Sequence, residues 1–296
     1  MQRLAENTAL SLAADYQTGV SPEDYEVIIV ENRSSSNIKS AFISRLPNNF
    51  HYHLRDEGEP TPVHAINEGV RMARGKNVCI MVDGARLVTP GVVRTLLSAH
   101  GITADVVATI PSYHLGKELQ QDAAETGYNT QIEQELLASI GWPNDPYRLF
   151  EISCLSKSSW RGVFLENWES NCISMPATLW EELGGADPRF NTLGGGYVNL
   201  DIYKRACETE RVTHVVIPGE GSFHQFHGGA TTGGIRQDKR EALMREIREN
   251  YESIRGRPYT PPKTNPIYLG RIPDQAFSFL KHSVDMKMAD LNDEEG

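Results

Sequence analysis

The segment VCIMVDG, residues 78–84, ends a run of mostly apolar residues with an aspartate. A buried strand with this pattern carries its last side chain, Asp83, to the edge of a sheet, where small and polar residues follow. A carboxylate at such an edge can bind a divalent cation or accept a hydrogen bond from a ribose. Arg86 follows three residues later and could neutralise phosphate charge at the same edge.

A second group of candidate ligands lies in GEGSFHQFHGG, residues 219–229. His224 and His227 are three residues apart, Glu220 precedes them, and glycines flank the group. Imidazole and carboxylate groups can bind Mn²⁺ or Mg²⁺, and glycines let the backbone approach a ligand closely. A pair of hydrogen-bonded loop histidines is the structural alternative. The functional hypothesis is that His224 or His227 meets Asp83 across a crevice.

Two carboxylates are candidates for a general base. Glu169 stands in NWESN beside Trp168 and near other aromatic residues, where burial could raise its pKa and where aromatic faces suit sugar rings. A solvated loop with core tryptophans is the alternative there. Asp201 stands near the start of a predicted helix, where Asn199 is expected to be the N-cap and Asp201 to favour the helix dipole.

The elements that must position these groups alternate between helix and strand in the first 110 residues. Such alternation predicts βαβ units and a largely parallel sheet, whose ligands bind at the carboxyl ends of the strands. Glu31 to Ser34 and Asp83 should therefore line one crevice. Helices are predicted at 3–17, 62–75 and 89–101, the last with Thr89 as N-cap, and strands at 27–30, 49–55, 77–82 and 104–112.

The second half of the chain has a less regular pattern. A helix is predicted from about Pro176 to the glycines at 184–185, and the glycine-rich segment at 194–196 leads into another helix. A helix at about 236–255 carries interleaved Lys, Arg and Glu, so it is either a solvated helix or a cover for the site or a dimer surface. A proline-rich tail with a frayed acidic end should follow.

The composition excludes several classes of protein. The 296 residues carry a formal net charge of −10, which disfavours nucleic acid as the main partner. Four scattered cysteines argue against a zinc cluster or a disulfide framework and suggest reduced, buried thiols. No transmembrane segment or signal peptide is evident, so we expect a cytoplasmic enzyme, which could work at the inner membrane face. The first half has no glycine-rich nucleotide fingerprint, which disfavours kinases and dehydrogenases.

Four motifs in the same order resemble the family 2 glycosyltransferases of the GT-A fold. YEVIIVENRSSS resembles the strand and loop that hold the donor nucleotide. NEGVRMARGKNVCIMVDGARLVTPG resembles the family's Asn-x-Gly, Ala-x-Gly, strand, Asp-x-Asp and Pro series. NCISMPATLWEELGGADPRF resembles the acceptor-side segment, and GGGYVNLDIYKRA stands where the family has a helix that starts with Glu-Asp-x-Asp. Together these motifs cover roughly residues 3–235.

This resemblance implies an α/β protein with a GT-A, Rossmann-like and mostly parallel sheet flanked by helices. Residues 1–235 would form one catalytic domain, with a nucleotide-binding half (1–110) and an acceptor-binding half (111–235), and residues 236–296 would form a helix and an extended tail. The implied reaction moves a sugar from a nucleoside-diphosphate sugar, such as a UDP-sugar, to a saccharide or another hydroxyl acceptor. A divalent Mn²⁺ or Mg²⁺ ion would assist, and a homodimer remains open.

The resemblance also implies roles for residues that match the motifs or lie near them. The implied catalytic residues are Glu169 and Asp201; donor-binding residues are Glu31, Asn32, Ser34, Asn67, Asp83 and Arg86; acceptor-binding residues are Trp168, Asp187, Gly195, Gly196 and Asn199; metal ligands are Asp83, His224 and His227.

Three departures from the family pattern keep other hypotheses open. The family's opening strand should precede the helix at 3–17, and the chain starts with that helix already under way. The Asp-x-Asp motif reads Asp83-Gly84-Ala85, and the Glu-Asp pair is replaced by Val198-Asn199. A non-catalytic GT-A-derived binding or scaffold domain, or a truncated inactive relative, is therefore the alternative, and a nucleotidyltransferase is a third hypothesis.

Overall fold

The computed structural model describes residues 2–82, 84–227 and 237–294. The strands in this part of the chain are β1 (Val27–Asn32), β2 (Phe50–Arg55), β3 (Asn77–Met81), β4 (Arg86–Val88), β5 (Val106–Thr109), β6 (Ser112–Leu115), β7 (Ser153–Leu155), β8 (Cys172–Pro176), β9 (Thr213–Val216), β10 (Ser222–His224) and β11 (Ile267–Tyr268). The α-helices are α1 (Gln2–Leu12), α2 (Ser40–Ile43), α3 (Val63–Met72), α4 (Val92–Ala99), α5 (Gln120–Ala123), α6 (Thr130–Ser139), α7 (Ala177–Glu182), α8 (Val198–Cys207), α9 (Gln237–Arg255) and α10 (Phe277–Glu294).

The βαβ pattern predicted for the first part of the chain is confirmed at β1, α2 and β2. β1 and β2 are parallel, with Val27 opposite Phe50. α3 packs on this pair closely enough that a Cβ atom on Gly69 would lie 3.2 Å from a methyl group of Val30. The apolar stripe of the same helix also joins the cluster that contains Val78 and Ile80 of β3. α3 therefore contacts both β1 and the region of β3.

The strands form three separate sheets, with both parallel and antiparallel pairs. β1 and β2 form one sheet; β11, β9, β5, β8 and β3 form the second; β4, β10, β6 and β7 form the third. Parallel pairs are β1–β2, β5–β9, β9–β11 and β6–β10, whereas β3–β8, β5–β8, β4–β10 and β6–β7 are antiparallel. Within the described ranges no strand pairs with both β1 and β3. The predicted α/β class is confirmed, and the parallel pairing holds for part of the sheets.

The four-stranded sheet is the element that positions the histidine segment. β10 lies between β4 and β6, so His224 stands opposite Arg86 on one side and opposite His114 on the other. Facing residues on neighbouring strands project from the same side of a sheet. β10 thus brings His224 to the same side of the sheet as Arg86 and His114, both of which lie more than 100 residues earlier in the sequence.

Three apolar clusters form the core. The first surrounds α3, α7 and α8, the second packs between the four-stranded sheet and the residues before α10, and the third lies between α4 and the five-stranded sheet. In the second cluster the Tyr113 ring stacks on Phe223 at 5.0 Å and meets Phe150 edge to face at 5.2 Å. Phe223 is fully buried and precedes His224 in β10, so the packing of these rings holds the strand that carries His224 in place.

Two predicted helix caps are wrong. α4 begins at Val92 with Gly91 as its N-cap, because the Thr89 hydroxyl donates to the Glu220 carboxylate at 2.5 Å instead of capping the helix. α8 begins at Val198, so Asn199 lies inside the first turn and its side chain makes no cap hydrogen bond. In both cases the side chain that was predicted to cap the helix hydrogen-bonds to a residue outside that helix. Thr89 bonds to Glu220, and Asn199 bonds to Asn171.

The C-terminal part of the chain also differs from the expected extended tail. β11 pairs with β9, and residues 277–294 form the long helix α10, which includes most of the acidic end. The boundaries proposed at residues 110 and 235 stay predictions. All four cysteines are free, but Cys79 is exposed and not buried as expected. Within the described ranges, no helix is both long and apolar enough to cross a membrane.

Candidate functional site

His224 is the centre of a buried row of polar side chains on the four-stranded sheet. Arg86, His224 and His114 are aligned across three strands, and each is less than one-tenth exposed. The rings of His114 and His224 lie 5.5 Å apart. The pKa of His114 is lowered to about 3, chiefly by burial and in smaller part by the neighbouring His224 and Arg86 side chains. His114 is therefore neutral at physiological pH and leaves Arg86 as a permanent positive charge in the row.

The second predicted histidine lies beside the first. The Nε2 atoms of His224 and His227 are 3.1 Å apart. This is the distance of a hydrogen bond between the two rings, the structural alternative named above. Two nitrogens at this separation can also both bond one divalent ion at about 2.0–2.1 Å, so the metal stays a prediction. Among the described residues no group of three or more His, Cys, Asp or Glu side chains could hold a metal ion. Asp83 lies outside the described residues, so its role as metal and donor ligand stays a prediction.

The backbone that carries the two histidines is held on several sides. The Gln225 amide N–H donates to Ala85 O at 2.7 Å, and its side chain bonds with Asn7 and with Leu4 O. The Phe226 N–H donates to the buried carboxylate of Glu133. These contacts tie residues 225–226 to α1, to the segment before β4 and to α6. The histidine pair is therefore presented on a fixed backbone.

Glu220, which the sequence offered as a third ligand near the histidines, is committed elsewhere. Its carboxylate accepts hydrogen bonds from the Thr89 hydroxyl, from the Gly91 N–H at 3.2 Å and from the Tyr147 hydroxyl at 3.0 Å. Burial raises its pKa, and these donors lower it by less. The Glu220 carboxylate thus satisfies hydrogen-bond donors at the start of α4, among them the Gly91 N–H. The hypothesis that it joins the histidines as a metal ligand is therefore not supported.

Glu169 has the properties that a general base needs. It is half-buried and lines a small cavity together with Thr109 and Tyr203. Burial raises the pKa of its carboxyl group above the ordinary value, while the charge of Arg86 and hydrogen bonding from Asn171 and Ser158 lower it by less. Arg86 therefore acts electrostatically on Glu169 as well as on the histidine row.

Asn199 is linked to Glu169 through one intermediate side chain. Its Nδ2 donates to Asn171 Oδ1 at 2.7 Å, and Asn171 in turn hydrogen-bonds to Glu169. With its oxygen facing Asn199, the Asn171 side chain has its nitrogen left to donate to Glu169. Asn171 was not singled out in the sequence, where an isolated Asn gives no signal of such a role.

Asp201, the other predicted base, is an ion-pair centre. It is 1% exposed, and its carboxylate accepts hydrogen bonds from Arg205 Nε at 2.7 Å and from Arg255 Nε at 2.5 Å. Arg255 also bridges to Asp187 at 3.0 Å. Asp187 is paired with Arg189 as well, and this bonding lowers the pKa of Asp187 to about 2. The two aspartates thus join α8 and α9 to the turn before residue 190. The role of Asp201 as a base stays a prediction.

The predicted donor-side residues at the end of β1 are largely engaged with the protein. The Glu31 carboxylate accepts from the Ile38 N–H and from the Tyr52 hydroxyl, the latter at 2.6 Å. Asn32 donates to Thr61 O at 3.1 Å, and the Ser34 hydroxyl accepts from the Ser36 N–H at 3.2 Å. These bonds shape the loop after β1. Their role in donor binding stays a prediction.

The structure gives several other predicted site residues internal contacts. The Asn67 amide makes two bonds with the backbone of Ala186, at 2.8 and 2.9 Å, and so joins α3 to the glycine turn after α7. Gly195 has φ of +79°, and the place of a Cβ atom there is filled by Pro62 and Val198. The Gly196 φ is +53°. Trp168 remains 38% exposed, so part of its ring faces solvent, and its role in acceptor binding stays a prediction.

The family model described as glycosyl transferase family 2 matches residues 5–158. This range covers the strands β1 to β7 and the positions of Asp83 and Arg86. Because it spans more than half of the chain, the chain belongs to glycosyl transferase family 2. Among curated proteins, none matches the chain.

Solved structures share the fold. The crystal structure of S. aureus TarS aligns with a TM-score of 0.51 at 10% identity, over 85% of this chain and 42% of that chain. TarS 1–349 in complex with UDP aligns with a TM-score of 0.51 at 10% identity, over 85% and 69% of the two chains. The complex of TarS 1–349 with UDP-GlcNAc gives 0.52 at 11% identity, over 85% and 63%. The chain thus spans less than half of the full TarS chain, and these likenesses establish the GT-A fold alone.

Proposed function

We propose that the chain transfers a sugar from a nucleoside-diphosphate sugar, with a UDP-sugar as the first candidate, to a hydroxyl group of a saccharide or another acceptor. The observation that carries this proposal is the pair of imidazole nitrogens 3.1 Å apart in the row that contains Arg86. A diphosphate leaving group needs positive charge, which a guanidinium and a bound divalent ion supply. Membership of the family and the folds solved with UDP and UDP-GlcNAc support the donor class.

In the proposed reaction the Glu169 carboxylate takes the proton from the acceptor hydroxyl. The acceptor oxygen forms a bond to the anomeric carbon of the donor, and the bond from that carbon to the diphosphate oxygen breaks. The nucleoside diphosphate leaves with the electron pair, and Arg86 stabilises its charge. A divalent ion held by His224, His227 and the predicted ligand Asp83 would supply further positive charge. Trp168 offers its exposed ring to the acceptor.

The first test is calorimetric titration of the protein with UDP and with GDP, each with and without Mn²⁺. A metal-dependent signal in the micromolar range, about −8 kcal/mol, is expected for the cognate nucleotide. The double variant His224→Ala, His227→Ala should lose the metal-dependent part of this binding. His282→Ala is a suitable control. His282 lies on α10, its ring hydrogen-bonds to the backbone oxygen of Trp160, and it belongs to no predicted ligand group.

Unchanged metal-dependent binding in the double histidine variant would contradict the assignment of the ion to these residues. Absence of nucleotide binding in every combination, from protein shown to be folded, would contradict the donor site itself.

A second candidate function is nucleotide-sugar binding without turnover. It is favoured by one observation: Asp201 is held between two arginines, and Asn199 stands where the family carries an acid. Both functions predict donor binding, so release of free nucleoside diphosphate from a bound donor discriminates them. Release that depends on an added acceptor supports transfer, whereas a stable complex over many hours supports the binding function.

A further inference from the structure

Gln120 is a fully buried amide next to the histidine pair, and no local sequence pattern singles it out. It is the first residue of α5 and has 0% exposure. Its hydrogen bonds reach the end of β6 and the end of β10 at once. A buried amide in such a position must satisfy both its donor and its acceptor groups.

The neighbouring backbone fixes the orientation of this amide. Gln120 Nε2 donates to Leu115 O at 3.3 Å and to His224 O at 2.9 Å. Both carbonyl oxygens are pure acceptors, so the nitrogen must face them. The opposite orientation would place Oε1 against two carbonyl oxygens and leave buried donors without partners. Oε1 therefore faces His224, where it lies 2.6 Å from Nδ1.

The oriented amide in turn fixes the tautomer of His224. Because Oε1 can only accept, His224 Nδ1 must carry a proton, and Nε2 is then the nitrogen through which a neutral ring can bind an ion. His224 Nε2 lies within hydrogen-bond distance of His227 Nε2, at 3.1 Å. An imidazole needs this arrangement to bind a metal through Nε2.

The same residue holds the neighbouring histidine in the opposite tautomer. The Gln120 backbone N–H donates to His114 Nδ1 at 3.1 Å, so this nitrogen carries the lone pair and Nε2 carries the proton when the ring is neutral. The side chain and the backbone of one residue thus assign different protonation sites to two histidines whose rings lie 5.5 Å apart.

We propose that Gln120 is a positioning residue that locks His224 in the Nδ1–H tautomer, so that Nε2 is the nitrogen through which His224 binds a divalent cation such as Mn²⁺. The cation-binding part of this inference rests on the proposed function, whereas the tautomer does not. Without the amide, both tautomers of His224 become accessible, and the form protonated at Nε2 cannot bind an ion there.

The tautomer can be measured on the unsubstituted protein. With ¹⁵N-labelled histidine in metal-free protein at about pH 8, where imidazoles are mostly neutral, His224 should show the Nδ1–H pattern and His114 the Nε2–H pattern. The spectrum of His224→Ala assigns the His224 signals by their absence. An Nε2–H signal for His224 would overturn the inference without the need for any variant of Gln120.

The role in ion binding is tested with Gln120→Met, which keeps the length of the side chain and removes the amide. Mn²⁺ affinity, measured by titration without nucleotide, should fall by about 10- to 100-fold, as is typical when the hydrogen-bond partner of a ligating histidine is lost. The His224 spectrum should change to a mixture of tautomers. Gln120→Glu retains an acceptor for Nδ1–H and can face Leu115 O and His224 O when its carboxyl group is protonated. It should preserve the tautomer and restore part of the affinity.

Gln17→Met is the matched control. Gln17 is also a buried amide, with 4% exposure, and it bonds to Ser11 O at 2.7 Å, to Thr89 O at 3.1 Å and to the Val93 N–H at 3.1 Å. It should lose thermal stability but keep the Mn²⁺ affinity and the His224 spectrum.

Each outcome of these titrations decides one part of the inference. Unchanged affinity and an unchanged tautomer in Gln120→Met would overturn the positioning role. The expected tautomer in unsubstituted protein that binds no Mn²⁺ would overturn the ion-binding part and contradict the metal in the proposed function, but it would leave the tautomer assignment intact.

Discussion

Glu169 and Asp201 look equally suited to proton transfer in the sequence, yet the structure gives them different surroundings. Asp201 is buried between Arg205 and Arg255, and both its oxygens accept guanidinium hydrogen bonds. Glu169 is half-buried beside a cavity, and burial dominates over the attraction of Arg86, so its pKa is raised. The charged carboxylate is stabilised by direct ion pairs in one region and disfavoured by desolvation in the other.

Under the proposed function, this difference separates an acid with a structural role from the proposed base. The oxygens of a carboxylate that is held by two guanidinium groups are engaged in charge-assisted hydrogen bonds. A carboxylate whose pKa is raised toward the working pH can take a proton from a hydroxyl group and release it again. The Asp201 side chain also raises the pKa of Arg255, as expected for a stable pair. Removing each carboxylate should therefore have a different kind of consequence.

The largest effect is expected for Glu169→Gln. If Glu169 is the base, the rate of acceptor-dependent sugar transfer should fall by about 10²- to 10⁴-fold, the usual contribution of general-base catalysis. Nucleotide affinity should be unchanged, because the substitution leaves Arg86 and the histidine pair in place. In the unsubstituted enzyme the rate should decline as pH falls through the raised pKa of Glu169, and this limb should be absent in the residual activity of the variant.

Glu166→Gln is the control for Glu169→Gln, since Glu166 lies in the same segment and makes only a long ion pair of 3.7 Å with Arg161. Its transfer rate should match that of the unsubstituted chain. Equal rates for Glu169→Gln and Glu166→Gln would remove Glu169 from the mechanism and with it the contrast between the two carboxylates.

A smaller effect, on stability and not on chemistry, is expected for Asp201→Asn. Breaking a buried ion pair by removing one partner leaves the other charge uncompensated and costs about 3–5 kcal/mol. The lower end, about 3 kcal/mol, is expected here because the side chains of Arg205 and Arg255 are each 22% exposed to solvent. Denaturant unfolding measures this loss, and nucleotide affinity under folding conditions should persist.

The exposed pair Lys281–Asp285 on α10 provides the comparison for Asp201→Asn. Asp285→Asn should leave the unfolding midpoint where it is, because solvent screens this pair. A stable Asp201→Asn variant that has lost acceptor-dependent transfer would reverse the assignment and make Asp201 the functional acid.

The sequence predicts the regular elements of the fold well where periodicity is local. The β-branched run at 27–30, the helical stripe of α3 and the strand before Asp83 are found close to their predicted positions. Division into three sheets could not be predicted, because it depends on pairs such as Ser222 with Val88, which join segments far apart in sequence. Strands as short as β4 and β10, with three residues each, carry no readable alternation.

The site was predictable only as far as residue type and spacing allow. The histidine pair was predicted, and the structure brings its Nε2 atoms together. The partners that decide each role were not predictable, since they come from distant segments: Gln120 is 104 residues from His224, and Glu220 is 131 residues from Thr89. Gln120 belongs to no motif, and the sequence grouped Glu220 with the histidines and not with Thr89. Tertiary contacts, and not local pattern, separate the ligands from the structural residues.

Glu133 tests whether burial without a strong ion pair is what raises a carboxyl pKa in this protein. It is fully buried; burial raises its pKa to about 7, and the Phe226 N–H and Arg3, at 3.5 Å, offset only part of this. Because the folded state holds the proton more tightly than the unfolded state, folding binds protons between the ordinary pKa of a glutamate and about 7. The contribution of Glu133 to stability is therefore present in full at low pH and is lost as the pH rises through this window.

The variant Glu133→Gln should flatten that part of the pH dependence, and the change from one pH value to the next is small because the effect is graded over the window. The unsubstituted protein should lose up to about 1.4 kcal/mol of unfolding free energy per pH unit through this group, and the variant should lack this loss, since an amide does not titrate and its oxygen can still accept from the Phe226 N–H. Unfolding at several pH values between 5 and 8 measures the difference, with the exposed Glu135→Gln on the same helix as control. Parallel pH profiles for Glu133→Gln and the unsubstituted protein would show that Arg3 compensates the buried carboxylate fully. Glu133 would then resemble Asp201, whose carboxylate is held in ion pairs, and not Glu169, whose pKa is raised by burial.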